Sequence, residues 1–208
     1  MAGKAAGRRF HVPDGSWSDT ELQAAWGRLK ASGNLHLYDH WGSMAWDTIK
    51  SRIRYLVTAL GCEHVYLDHL TALAAAEEDE RRALERIMAE AASMAQELNF
   101  ILHYVSHLAT PEGKPHEEGG RVMIRHFKGS RALGFWSHGM FGLERNQQAD
   151  TPEERSTTRL RCLKDRYTGQ ATGKVVSLRY DDASGLLNEV DEVFDETTGG
   201  DNADDLPF

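Results

Sequence analysis

His64-Val65-Tyr66-Leu67-Asp68 and Phe100-Ile101-Leu102-His103-Tyr104-Val105-Ser106-His107 are two short apolar runs, each ending on a chemically useful side chain. Between them, over about Glu77 to Leu98, the residues Leu84, Ile87, Met88, Ala91, Ala95 and Leu98 form one helical stripe. Strand, long helix and strand in that order predict a βαβ unit with parallel strands. Asp68 and His107 then emerge at one carboxyl edge, where open α/β sheets bind ligands.

Around this unit the pattern is α/β first, then antiparallel. Ser18 with Glu21 three residues on reads as a capping box opening a helix to about Ser32. Leu35 to Tyr38 is a short strand candidate. A second helix is expected from about Ser43 to Leu60, with Ile49, Ile53, Leu56, Val57 and Leu60 at helical spacing and Gly61 as its stop. The acidic run Glu77-Glu78-Asp79-Glu80 complements the positive end of the long helix. Thr110 to Gly120 is a polar, Gly/Pro-rich loop leaving the sheet edge. Gly129 to Ser137 predicts a short helix and Met140 to Arg145 a strand. Thr157 to Lys164 and Lys174 to Tyr180 alternate as a β-hairpin. Three sections follow: 1–34 with one helix, a core over 35–187, and an acidic tail over 188–208, expected to be disordered.

Composition narrows the class. With 208 residues, 40% hydrophobic and 27% charged, the chain is long enough to bury a core. No run approaches the roughly 18 apolar residues of a membrane span, and the start lacks the apolar centre of a signal peptide. Cys62 and Cys162 have no metal or redox spacing and read as reduced thiols of a cytoplasmic protein. The net charge of −8 is carried by the end of the chain: Glu189 to Phe208 holds eight acids and no Lys or Arg, leaving a body with 24 basic and 24 acidic residues. A neutral body does not argue against nucleic acid.

Each candidate group has a second reading when taken alone. Asp68, a carboxylate at a buried strand's tip, suits Mg²⁺ held through water, or else caps a neighbouring loop. His107 suits a phosphate contact, or else a structural role. Lys164 and Arg166, one residue apart at a strand end, suit a shared phosphate group, or else a solvated basic edge. Lys114 and the Lys128-Gly129 pair suit a nucleic-acid backbone, or else serve solubility.

Four stretches occur in order: Gly61-Cys62-Glu63-His64-Val65-Tyr66-Leu67-Asp68-His69, His116-Glu117-Glu118-Gly119, Leu143-Glu144-Arg145-Asn146-Gln147-Gln148 and Leu163-Lys164-Asp165-Arg166-Tyr167-Thr168-Gly169. Together they resemble the helicase half of the primase–helicases of short-tailed bacteriophages, relatives of DnaB and of the mitochondrial helicase Twinkle, over roughly Leu35 to Leu187. The resemblance implies a partial RecA-like sheet with flanking helices and a C-terminal β-hairpin edge. It also implies part of an ATP-dependent DNA helicase moving 5′→3′ on single-stranded DNA as a homo-oligomeric ring, usually a hexamer, in the host cytoplasm if phage-encoded. Asp68 falls at the Mg²⁺-positioning aspartate and His107 at the γ-phosphate sensor. Arg166 matches the arginine finger and Lys164 its companion. Arg145 and Tyr180 match the residues sandwiching the nucleotide base, Lys114 sits in the second DNA loop, and Lys128 with Gly129 in the third. The acidic tail and Phe208 match the family's polymerase-binding end.

The sequence departs from that family at three places. It contains no Gly-x-x-x-x-Gly-Lys-Ser/Thr loop, since Gly3-Lys4-Ala5 lacks the hydroxyl. The catalytic glutamate following that loop has no counterpart. Phe135 stands where the family has a glutamine. The chain alone is therefore expected to hydrolyse ATP poorly. Its alternatives are a non-catalytic product that binds single-stranded DNA, joins a ring or recruits polymerase, and a RecA-like recombinase fragment.

Overall fold

The computed structural model describes residues 1–39, 45–75 and 77–191. Helices α1 (Ala2–Ala6) and α2 (Asp19–Ala31) open the chain, followed by α3 (Trp46–Leu60) and strand β1 (His64–Leu67). The short α4 (Thr71–Ala74) and the long α5 (Glu80–Leu98) lead to β2 (Ile101–Tyr104). After a long loop and a 3₁₀ turn at Ile124–His126 come α6 (Ser130–Trp136), β3 (Gly139–Glu144), α7 (Pro152–Ser156), β4 (Thr157–Asp165), β5 (Val175–Tyr180) and β6 (Leu187–Val190).

The βαβ expectation holds. β1 and β2 are parallel, in register from His64 opposite Ile101 to Leu67 opposite Tyr104. Parallel neighbours need a crossover, and α5 provides it. Asp79 caps that helix by accepting from the Arg82 amide, and Asn99 ends it in a left-handed conformation. Leu84, Ile87, Met88, Ala91 and Met94 turn inward against Val65, Phe100 and, from α3, Trp46 and Ile53. Fully burying each larger side chain contributes about 1.5–3 kcal/mol. Polar clamps align α3 with α5: Glu90 accepts from Lys50 (2.7 Å) and the Trp46 indole (3.0 Å), and Arg54 grips Glu97 with both Nη atoms. The Lys50 hydrogen bond is the main cause holding the Glu90 carboxyl below its usual range.

The remaining strands form a separate antiparallel sheet in the order β3-β4-β5-β6, with the expected hairpin between β4 and β5. No ladder joins β2 to β3. They meet instead through packing, with Met140 and Leu102 in one core cluster, and through a hydroxyl contact between Tyr104 and Ser137. Helices cover one face of the parallel pair; on the other, Tyr66 (73% exposed), Ile101 and Val105 are open to solvent, as are Phe141 and Leu143 on β3.

Several expectations shift. The capping box at Ser18 and Glu21 is present and opens α2. Leu35 to Tyr38 forms no strand; Leu37 and Tyr38 are exposed and pair with no ladder. Leu60 is also exposed, at the end of the α3 stripe. Ser43 lies outside the described residues. Leu187–Val190, where an irregular tail was expected, pairs antiparallel with β5, because backbone pairing compensates for poor core-forming composition. The acidic segment from 192 on, with Phe208, lies outside the described residues. Cys62 and Cys162 are both free thiols. No described helix is long and apolar enough to cross a membrane.

One buried pair holds the antiparallel sheet to the loop before it. Glu144, 3% exposed, accepts from Arg161 Nε (2.8 Å) and Nη2 (3.1 Å) on β4 and from the Val122 amide (3.0 Å). Removing one partner of such a pair strands a charge and costs about 3–5 kcal/mol. Glu144→Ala should therefore lower the urea midpoint by that free energy in equilibrium unfolding, and Arg161→Ala should lower it comparably.

Candidate functional site

Backbone pairing continues past the strand ends and brings their tips together. The Val105 amide donates to the Leu67 carbonyl (3.1 Å), and the Leu70 amide to the Val105 carbonyl (2.9 Å). Asp68 and His69 lie between these bonds, joined by a cis peptide. The His69 ring stacks on His107 with centroids 4.1 Å apart, and its Nδ1 pairs with the Thr71 hydroxyl at 2.9 Å. Buried Leu70 and Thr71 anchor the turn. Asp68 is exposed, and no hydrogen bond or ion pair among the described residues engages its carboxylate.

A free, exposed carboxylate suits a hard cation. The described residues contain no group of three or more His, Cys, Asp or Glu side chains able to cage a metal. Such a site fits Mg²⁺, which keeps several waters and takes one or two carboxylates plus phosphate oxygens.

The chain beyond His107 is tied to the segment leading into α6. The Lys128 amide donates to the His107 carbonyl (3.0 Å), the Ala109 amide to the His126 carbonyl (2.6 Å), and Leu108 bridges Phe127. Lys128 is exposed. Gly129 follows at φ 78°, and a Cβ there would lie 1.9 Å from Leu84 Cδ2, so both conformation and space require glycine. Lys114 is exposed on the loop after β2, which closes through amides of Glu118 and Gly120 donating to the Pro115 carbonyl. That loop also reaches the end of β3, where the Gln147 amide donates to the Glu117 carbonyl (2.8 Å).

Lys164 and Arg166 do converge, on backbone rather than on the strand tips. Lys164 Nζ donates to the Gly134 carbonyl and Arg166 Nη2 to the Phe135 carbonyl (2.7 Å), both at the C-terminal end of α6. Cations there complement unpaired carbonyls. Burial, and then the neighbouring Arg166 charge, push the Lys164 ammonium below its usual range. Within one chain neither cation bonds Asp68 or His107.

Arg145 and Tyr180 sit at the opposite end of the antiparallel sheet. β3 and β5 run in the same direction, each antiparallel to β4 between them, so both residues lie at one edge. Arg145 Nε donates to the Arg155 carbonyl (2.6 Å) and lines a shallow cleft with Gly119, Asn146, Glu154 and Thr157. The two side chains are not stacked on one another. The His69–His107 stack and the Glu144–Arg161 pair were not read from the sequence. A lone acid on the inward side of β3 facing arginines on β4 is the signal that would have found the latter.

Two solved structures share the fold. The ATPase domain of a DnaB-like helicase superposes with a TM-score of 0.70 at 21% identity, covering 91% of this chain and 69% of that one. A KaiC-like protein, PH0186 from Pyrococcus horikoshii OT3, gives 0.56 at 12% identity, covering 83% and 72%. The chain thus has a RecA-like α/β fold. No protein-family profile matches it. A relative defines it more closely: the DNA helicase/primase of Enterobacteria phage T3 is 36% identical over 162 residues, 76% of this chain. The match spans 28% of that relative's length, so the chain corresponds to part of a phage helicase/primase of RecA-like fold.

Two histidines here carry pH dependence. Burial, and then the charge of His64 (Nδ1 3.0 Å from His103 Nε2), depress the His103 imidazole below its ordinary 6.5. Burial, then His116 and Arg125, depress His126 likewise. The unfolded chain then binds more protons than the folded one just below 6.5, so stability falls as pH drops through that window. Urea midpoints should fall between pH 7.5 and pH 5.5, above the carboxylate range. A His103→Asn, His126→Asn double variant should show a smaller fall.

Proposed function

We propose that this chain is the phosphate-sensing and DNA-contacting part of a ring-forming, ATP-dependent replicative DNA helicase, moving 5′→3′ on single-stranded DNA. The observation that carries this reading is the hydrogen bond from the Lys128 amide to the His107 carbonyl, 3.0 Å long. A residue facing the nucleotide edge is joined through one backbone bond to a residue facing DNA. A change at the phosphate end has a direct mechanical route to the DNA loop.

The roles follow from chemistry and placement. Asp68 orients the metal and the attacking water, and bound Mg²⁺ neutralises phosphate charge as it develops. His107 donates to the terminal phosphate and loses that partner on hydrolysis. Arg166, with Lys164 beside it, reaches the nucleotide of a neighbouring subunit, which accounts for its distance from Asp68 within one chain. Arg145 and Tyr180 hold the base. Lys114, Lys128 and Gly129 contact the DNA backbone, glycine allowing close approach. The acidic tail and Phe208 recruit the replicative polymerase.

The absence of a Gly-x-x-x-x-Gly-Lys-Ser/Thr loop from the 208 residues favours a second reading, a non-catalytic module that binds single-stranded DNA or joins a ring. Without that loop's amides and lysine, little cradles the β- and γ-phosphates. The purified chain should show background ATP hydrolysis, measured as phosphate release. Fused behind the phosphate-loop segment of the phage T3 relative, it should hydrolyse ATP. Arg166→Ala should then reduce the rate by about 10³-fold or more, and Asp68→Asn should abolish it. A fusion whose rate is unaltered by these substitutions would refute the motor reading. Fluorescence anisotropy with labelled oligo-dT separates the second: Lys114→Ala and Lys128→Ala should each weaken binding and lower its salt dependence by about one ion.

A further inference from the structure

From Gly119 to Leu143 the chain carries Arg121, Arg125, Lys128 and Arg131 and not one Asp or Glu. Within it, α6 presents two faces. Ala132 and Leu133 are buried, Leu133 completely, and Trp136 packs at the edge of the core. Arg131 is exposed on the other side, and Phe135, four residues on, is 62% exposed. Residues at that spacing lie one above the other on a helix surface. Lys128, just before the helix, is three residues from Arg131. The result is a surface line of cation, cation and aromatic ring, drawn from a stretch without acids.

Phe135 is also held firmly. Its ring meets Trp136 edge-on at 5.0 Å between centroids, and its carbonyl is gripped by Arg166. Leu133 locks the helix beneath it. A fixed, exposed aromatic ring beside backbone-binding cations is how single-stranded nucleic acid is held without sequence preference. An exposed phenylalanine alone means little; its cationic company selects the ligand. A protein partner has no comparable reason to prefer an acid-free surface.

We infer that Phe135 is a base-stacking platform for single-stranded DNA and that Arg131 binds the adjoining phosphate, extending the contact begun by Lys128 along the exposed side of α6. This rests on the DNA-binding reading above and adds a base contact to its backbone contacts. It makes the aromatic ring at position 135 a gain of binding area.

The full chain and fluorescein-labelled oligo-dT provide the test. Phe135→Ala and Phe135→Leu should weaken binding by about 5- to 150-fold without changing its salt slope. Phe135→Trp should bind like the original chain. Arg131→Ala should weaken binding and reduce the slope by about one ion. Oligonucleotides carrying 5-iodouracil should photo-crosslink to Phe135, a readout that does not require the alanine variant to fold. If Lys128→Ala weakens binding while Phe135→Ala and Phe135→Leu do not, the stacking platform is refuted and the DNA-binding reading stands. If no variant matters, or the chain does not bind oligo-dT, both fail. If Phe135→Ala changes sedimentation but not oligo-dT affinity, the ring belongs to a protein interface and the inference is overturned.

Discussion

Parallel pairing of β1 with β2 is the constraint from which the rest of the site follows. Two strands running the same way cannot be joined by a tight turn, so a long crossover must return the chain to the starting edge. α5 makes that return, and its buried stripe fixes the spacing of both strands beneath it. Both strands then end at one edge, and their extension through Leu67, Val105 and Leu70 leaves Asp68 and His107 as neighbours. Slipping one strand by a residue would reverse every side chain on it. It would turn Val65 outward and place Tyr66 in the core, so the core and the site are determined together.

The same constraint explains how far the second half of the site depends on the first. His107 is followed at once by the bridge from Leu108 to Phe127 and the bond from Lys128, so the path into α6 starts where β2 stops. Gly129 lies against Leu84 of α5, the same helix that spaces the strands. One helix thus supports both the phosphate edge and the turn presenting Lys128. Movement at either place is transmitted through packed contacts, not through a flexible connection.

Local periodicity made this half legible. A helical stripe from Leu84 to Leu98 and two apolar runs suffice for a βαβ unit, and position at a strand's end is enough to single out Asp68 and His107. The order of four motif stretches placed Lys164 and Arg166 together, which the structure bears out geometrically on the end of α6. Less was legible where pairing depends on distant partners. Leu35 to Tyr38 has strand composition without a neighbour, whereas Leu187–Val190 has a weak composition but a neighbour in β5. Edge strands are decided by what lies beside them, and a local window does not contain that. The separation of the two sheets was invisible for the same reason.

Arg166 shows why a cation can rest in one place and act in another. Its guanidinium holds the Phe135 carbonyl, a neutral acceptor at the exposed end of a short helix. Hydrogen bonds from an ionised donor to an ionised acceptor are roughly twice as strong as neutral ones, so a phosphate oxygen outcompetes that carbonyl. The carbonyl left behind faces solvent beside an exposed ring and can be hydrated, which keeps the cost of release small. Lys164 differs, being half-buried and pushed toward neutrality by that burial and by Arg166 itself. Withdrawal of Arg166 would remove a like charge and strengthen the Lys164 ammonium where it stands, on the Gly134 carbonyl. On the proposed reading, the pair divides its work: Arg166 is the cation that leaves, and Lys164 the one that keeps α6 capped while it is away.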